Sequence, residues 1–243
     1  MRPRFKPQPG SRFGARLGPL WLFDLDNTLH NASHAIFPAI NANMNAFIAQ
    51  ALGTADGAAD PELVNAIRID YWQRYGATLL GMVKHHAVRE ADFLHAAHRF
   101  DDVRTMIRAE RGLAQLLKRL PGRKILLTNA PYQYSRAVLR HLGLHRHFAA
   151  HVPIESMRVH GKLRPKPSGL MLRQLMARQR VCASRCILVE DTAATLKVAR
   201  ALGMRTAWVT QYLRTPKRSA RAAYIDVKVK SVRQLPGQLH RLR

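Results

Sequence analysis

Apolar positions along the chain fall into short continuous runs separated by longer stretches of helical period. The first run is Leu20-Trp21-Leu22-Phe23-Asp24-Leu25-Asp26, and others follow at residues 124–128 (KILLT), 148–153, 186–189 (CILV) and 206–210 (TAWVT). Short continuous runs of this kind suit strands buried on both faces. Between them lie helical patterns over residues 132–142, 168–180 and 193–202. The first and last of these are followed by Gly143 and Gly203, the residue type that commonly ends a helix. Strand and helix alternating at this spacing predict an α/β domain with a parallel sheet covered on both faces. Residues 224–232 predict one last short edge strand.

Residues 33–103 break this rhythm. They hold helical patterns at 40–52, 61–75, 78–86 and 90–98 and no good strand candidate, which predicts an all-helical cap inserted after the first strand. A helix at 108–120 returns the chain to the second strand. The reading therefore divides the chain into a core (20–32 and 104–232), a cap (33–103), a basic arm at 1–19 without regular period, and a basic tail at 233–243.

Composition permits this architecture. Of 243 residues, 47% are hydrophobic and 23% charged, enough for a sizeable core and too apolar for wholesale disorder. The formal net charge is +25. Residues 1–19 carry five basic groups and no acid, and residues 211–243 carry nine against Asp226 alone. Such a field attracts polyanions and steers phosphorylated substrates, so nucleic acid is a candidate partner through the basic ends. No apolar run is long enough to span a membrane, and residues 1–19 contain no apolar stretch of the leader type. A cytoplasmic location is the expectation. The two cysteines, Cys182 and Cys186, are too few for a disulfide scaffold.

Candidate chemistry gathers at the carboxyl ends of the strands, where open α/β sheets place their sites. Asp24 and Asp26 close the first strand and would face one way if strand geometry ran through both. Two carboxylates in one cleft need a cation or a shared proton, and a hard divalent ion such as Mg²⁺ suits oxygen ligands. One carboxylate can then attack phosphorus while the other moves a proton. The second strand ends in Thr128-Asn129, a hydroxyl and an amide able to hold phosphoryl oxygens. Another ends in the acidic pair Glu190-Asp191. Lys166, in the turn Arg164-Pro165-Lys166-Pro167, is placed to offset a carboxylate's charge; Lys162 and Arg164 are alternatives.

Together these motifs resemble the haloacid-dehalogenase-like superfamily of phosphohydrolases. Asp24-Leu25-Asp26-Asn27-Thr28 is similar to its opening Asp-x-Asp-x-Thr motif, Thr128 to the second, Lys166-Pro167 to the third and Glu190-Asp191 to the fourth. The resemblance implies a Rossmann-like three-layer core with an alpha-helical cap of the C1 type. It implies Asp24 as nucleophile, Asp26 as general acid and base, Thr128 on the phosphoryl group and Lys166 beside the nucleophile. It also implies a Mg²⁺ site from Asp24, the backbone carbonyl of Asp26, and Asp191 with Glu190. Glu190 stands where many relatives have Asp, which leaves open which acid touches the metal.

Within the cap, Tyr71-Trp72-x-x-Tyr75-Gly76 followed by Gly81, together with Asp-Asn-Thr-Leu-His ending at His30, resembles the pyrimidine 5′-nucleotidase group. That resemblance implies hydrolysis of UMP, CMP or dTMP, with Asn129, His30 and Tyr75 as candidate substrate contacts. Tyr71 and Tyr75 share a helix face and serve either packing or base stacking. Other small phosphates, among them sugar phosphates and phosphoglycolate, with hydrolase or phosphomutase chemistry, are the alternative within the superfamily. A dehalogenase has no need of Asp26. A phosphonate hydrolase would need a cap lysine for a Schiff base, and Lys84 is the only lysine between 29 and 105.

Overall fold

The computed structural model describes residues 18–54, 57–212 and 222–242. Six strands, β1 (Leu20–Phe23), β2 (Arg123–Leu127), β3 (Ala150–Val152), β6 (Cys186–Glu190), β7 (Arg205–Val209) and β8 (Val227–Val229), form one parallel sheet in the order β3-β2-β1-β6-β7-β8. Two further strands, β4 (Arg158–Val159) and β5 (Lys162–Leu163), form a small antiparallel hairpin. The chain builds outward from β1 to one side and then returns to pair β6 on the other, so the switch in strand order lies at β1–β6.

Period-two alternation sorts the strand residues into two layers. Trp21, Phe23, Leu126, Ile187, Val189, Ala207 and Val209 pack on one face, with Leu113, Leu116 and Leu117 of α6 (Leu113–Arg119) and Tyr134, Val138 and Leu139 of α7 (Tyr132–His141). Leu20, Leu22, Ile125, Leu127, Cys186, Leu188 and Trp208 pack on the other. There they meet Met171, Leu172 and Leu175 of α8 (Gly169–Gln179) and Leu196 and Ala199 of α9 (Ala193–Ala201). The expected architecture, a parallel α/β sheet with an inserted helical cap, is the one observed.

The cap comprises α1 (Ile36–Leu52), α2 (Pro61–Tyr75), α3 (Thr78–His85) and α4 (Glu90–Ala97). Local chemistry sets the ends of α2. Asp60 accepts a hydrogen bond from the Leu63 N–H at 2.9 Å, Pro61 occupies the first helical position, and Gly76 stops the helix at φ +78°. The cap core of Ile48, Val64, Leu79, Met82, Phe93 and Leu94 also takes in Ile154 and Leu163, which come from the core chain between β3 and α8. The β4–β5 hairpin carries Leu163 and an Arg158–Glu90 ion pair to α4. Two-residue strands carry too little pattern to be read, and this hairpin was not expected.

Two segments differ from expectation. The helix read at 108–120 is shorter, α6 alone, because Gly112 at φ +82° sets its start, and a separate four-residue helix, α5 (Val103–Met106), precedes it. Residues 233–243 were read as a basic tail. Instead Val232–Arg241 forms 3-10 turns, and Val232, Leu235 and Leu242 enter the core. Apolar side chains three apart line one side of such a helix. The arm expected at 1–19 lies outside the described residues except for Gly18 and Pro19. Among the described residues, no helix is long and apolar enough to cross a membrane.

Candidate active site

The site lies at the carboxyl end of the sheet. Past Phe23 the Asp24 N–H still donates to the Val189 carbonyl at 3.0 Å, so Asp24 leaves β1 beside β6. The chain then turns sharply. Thr28 and Leu29 donate backbone N–H groups to the Leu25 carbonyl, and Asn27 takes φ +58° with its side chain bonded to the Ser33 N–H and hydroxyl. This turn gives the two aspartates separate partners.

Asp24, buried, receives Lys166 Nζ on Oδ1 at 2.6 Å and the Thr28 hydroxyl on Oδ2 at 2.8 Å. Lys166, 5% exposed, also donates to Glu190 Oε2 at 2.7 Å. It is therefore the lysine of the site, while Lys162 and Arg164 are exposed. Glu190 spends its other oxygen on the Thr192 N–H at 3.2 Å. Asp191 accepts the Thr192 hydroxyl on Oδ1 at 3.0 Å, with no hydrogen bond to Oδ2 among the described residues. Buried Thr128 ends β2, and its Oγ1 accepts the Ala130 N–H at 3.0 Å, which leaves its own proton to donate.

Two of the candidate residues, His30 and Asn129, take other positions than the one read for them. His30, expected as a substrate contact, is fully buried, with Nε2 2.8 Å from Asp26 Oδ1. The cause is the tight turn, which brings the residue four positions on back over Asp26. Asn129 grips the Lys166 backbone from both sides, donating Nδ2–H to its carbonyl and accepting its N–H, each at 2.9 Å. It therefore sets the height of the lysine. Tyr75 remains half-buried in the cap with its hydroxyl 2.7 Å from His85 Nε2. One residue was missed: Tyr134 of α7, 4% exposed, donates its hydroxyl to Asp26 Oδ1 at 2.6 Å. Its only advance signal was its place on the same inner stripe of the helix as Val138, four residues on.

Electrostatics single out the acidic cluster. Burial, then the charge of Glu190, pushes the Asp24 carboxyl up to about 7, with Lys166 only partly offsetting. Burial, then Glu190 and Asp24, pushes Asp191 up to about 10. Burial also works against the charge of Lys166, but Asp24 and Glu190 outweigh it and raise the ammonium. For Asp26, burial is outweighed by the His30 contact and the Tyr134 hydroxyl, and the carboxyl is held below its ordinary range. Tyr134 itself is held well up by burial and by Asp26, so it stays a phenol donor.

Oxygen atoms of Asp24, Glu190 and Asp191 lie within 4.8 Å of one another, with one lysine among three carboxylates. A cluster of hard oxygen donors short of positive charge fits a divalent cation of the Mg²⁺ class.

Solved structures share the fold. CbbY from Rhodobacter sphaeroides in complex with phosphate superposes with a TM-score of 0.62 at 21% identity, covering 90% of this chain and 96% of that one. A HAD phosphatase from Thermococcus onnurineus gives 0.60 at 14%, covering 91% and 97%. L-2-haloacid dehalogenase from Xanthobacter autotrophicus gives 0.55 at 16%, covering 92% and 99%. At the level of sequence, the family model described as haloacid dehalogenase-like hydrolase matches residues 20–203, a span that runs from the start of β1 through the cap and past α9 to Gly203. Matched over about three quarters of its length, this chain belongs to the haloacid dehalogenase-like hydrolases.

Proposed function

We propose that this hydrolase cleaves phosphate monoesters with Mg²⁺ through an aspartyl-phosphate, and that its substrates are pyrimidine nucleoside 5′-monophosphates. The observation that carries the chemistry is buried Asp24, with Lys166 at 2.6 Å and Glu190 and Asp191 alongside, at the switch point of a parallel sheet. Asp24, Asp191 and the backbone carbonyl of Asp26 would hold Mg²⁺, with Glu190 committed mainly to Lys166. When bound, the ion supplies positive charge against the phosphoryl oxygens.

The residues of the chain divide the work as follows. A carboxylate oxygen of Asp24 attacks phosphorus as the ester P–O bond breaks. Asp26, which takes up a proton once the phosphate dianion lies beside it, gives that proton to the departing oxygen, which leaves as the alcohol. Lys166 and the Thr128 hydroxyl offset the charge that builds on the phosphoryl oxygens. Asp26, now a carboxylate, takes a proton from water as that water attacks phosphorus. The bond to Asp24 breaks, and phosphate leaves.

The nucleotide assignment rests on the cap. The turn between α2 and α3 sits over the lysine segment, since a Cβ at Gly76 would stand 3.2 Å from Pro167 Cδ. On either side of it, the rings of Tyr71, Tyr75 and His85 cluster with centroids 5.4–5.9 Å apart and planes 23–57° to one another, offering aromatic faces to a base.

Phosphate release from UMP, CMP, dTMP, AMP, GMP, phosphoglycolate and sugar phosphates tests both levels. Expected is turnover of the pyrimidine nucleotides above the rest, abolished by EDTA and by Asp24→Asn. Turnover of another ester keeps the chemistry and removes the substrate assignment. An inert panel, with salt-sensitive nucleic-acid binding instead, overturns the reading.

A further inference from the structure

Asp26 is held differently from Asp24. Both of its hydrogen bonds fall on Oδ1, from Tyr134 at 2.6 Å and His30 Nε2 at 2.8 Å. Among the described residues, no donor meets Oδ2. The two donors come from separate elements, the loop after β1 and helix α7, whose contact spans 108 residues. Neither donor has room to move. His30 is fully buried, and the Tyr134 ring is flanked by His98 and Phe100 at centroid distances of 5.3 and 5.8 Å.

His30 shows a further sign of a dedicated role. Its Nδ1 is the buried side-chain polar atom without a hydrogen-bond partner among the described residues. Burying an unpartnered ring nitrogen is unfavourable, and an apolar side chain of similar size would avoid it. Packing therefore gives no reason for a histidine here. The bond from Nε2 to Asp26 does.

We infer that Tyr134 and His30 are positioning residues that hold Asp26 by Oδ1, so that Oδ2 alone gives the proton to the leaving oxygen and takes one from water. This deepens the phosphohydrolase reading and rests on it. As the proton leaves Oδ2, the charge gained by the carboxylate is met at Oδ1 by two donors already in place. No group has to reorient during the step. The orientation of the carboxyl is fixed as well, which a proton transfer over hydrogen-bond distance requires.

The test compares leaving groups. kcat/KM reports the steps up to alcohol departure. It is measured with Mg²⁺ for p-nitrophenyl phosphate, whose leaving group departs unprotonated, and for an alkyl monoester, dTMP or another from the panel that the enzyme hydrolyses. Tyr134→Phe keeps the ring against His98 and Phe100 and removes only the hydroxyl. It is expected to lower kcat/KM for the alkyl ester about 10- to 100-fold and for the nitrophenyl ester less than about 3-fold. His30→Leu, which fills the pocket without an unpartnered nitrogen, is expected to show the same selective loss. It carries the test if Tyr134→Phe does not fold. Equal losses on the two esters, or no loss, overturn the inference while leaving the phosphohydrolase reading in place. A wild-type protein inert toward both esters removes that reading and the inference with it.

Discussion

Lys166 is nearly closed to solvent, yet its ammonium group meets two carboxylates at 2.6 and 2.7 Å. Such an arrangement persists because each partner relieves the burial of the other. Asn129 then holds the lysine backbone through both ends of its amide. Removing the ammonium leaves Asp24 and Glu190 buried and facing each other. Lys166→Met is therefore expected to destabilise the metal-free protein by about 3–5 kcal/mol and to lower phosphate release about 100-fold or more. Urea unfolding in EDTA and a phosphate assay measure the two effects. An unchanged unfolding midpoint would mean that the carboxylates do not depend on this lysine. The acids and Lys166 were legible because strand ends and motif order mark them. Tyr134 was not, because its contact with Asp26 joins residues 108 apart and leaves no local trace.

Elements show where a pattern was read well and where it was not. Helices α2, α7 and α9 start and stop close to their expected ends, since Asp60, Pro61, Gly76, Gly143 and Gly203 act locally. In the Tyr-Gly-to-Gly stretch of the cap, Gly81 has a packing role. A Cβ there would come within 2.1 Å of Tyr71 Cγ, so α2 and α3 approach this closely only with glycine. Tyr71 is thus a packing residue as well as part of the ring cluster. The C-terminal turns are the contrasting case. The charged residues of 233–243, Arg233, Arg241 and Arg243, are all basic, while Leu235 and Leu242 are buried in the core at 0% and 3% exposure. Leu235→Ala is expected to cost about 2–5 kcal/mol, a core truncation and not a tail substitution. Thermal or urea unfolding decides the matter, and a cost below about 0.5 kcal/mol would restore the reading of a basic tail outside the core.

Across the whole molecule, charge is divided unevenly. The cap segment 33–103 carries eight acids and five basic residues, so the excess of +25 lies entirely outside it. From residue 111 to 154 the core chain has no Asp or Glu at all. A basic core under a mildly acidic cap attracts anions over long range. Salt screens that attraction over about 10 Å at 0.1 M. Accordingly kcat/KM for a nucleoside monophosphate is expected to fall several-fold between about 0.05 and 0.5 M salt, with kcat nearly constant. Steady-state kinetics over a salt series checks this; a flat kcat/KM would assign the basic excess no part in substrate capture.

By itself the sequence determined the strands of the main sheet, most helices, the insertion of the cap and the acidic and basic residues at the strand ends. These follow from short-range periodicity, capping residues and the rule that parallel sheets expose chemistry at their carboxyl edge. Tertiary structure alone decided that Lys166 bridges Asp24 and Glu190. It also decided that His30 and Tyr134 share one oxygen of Asp26, that Asn129 serves the lysine, and that the last turns complete the core. Each of these depends on which groups lose water together. Burial turns a contact between distant residues into a strong interaction, and a linear pattern of apolar and polar positions does not record which distant residues will be buried side by side.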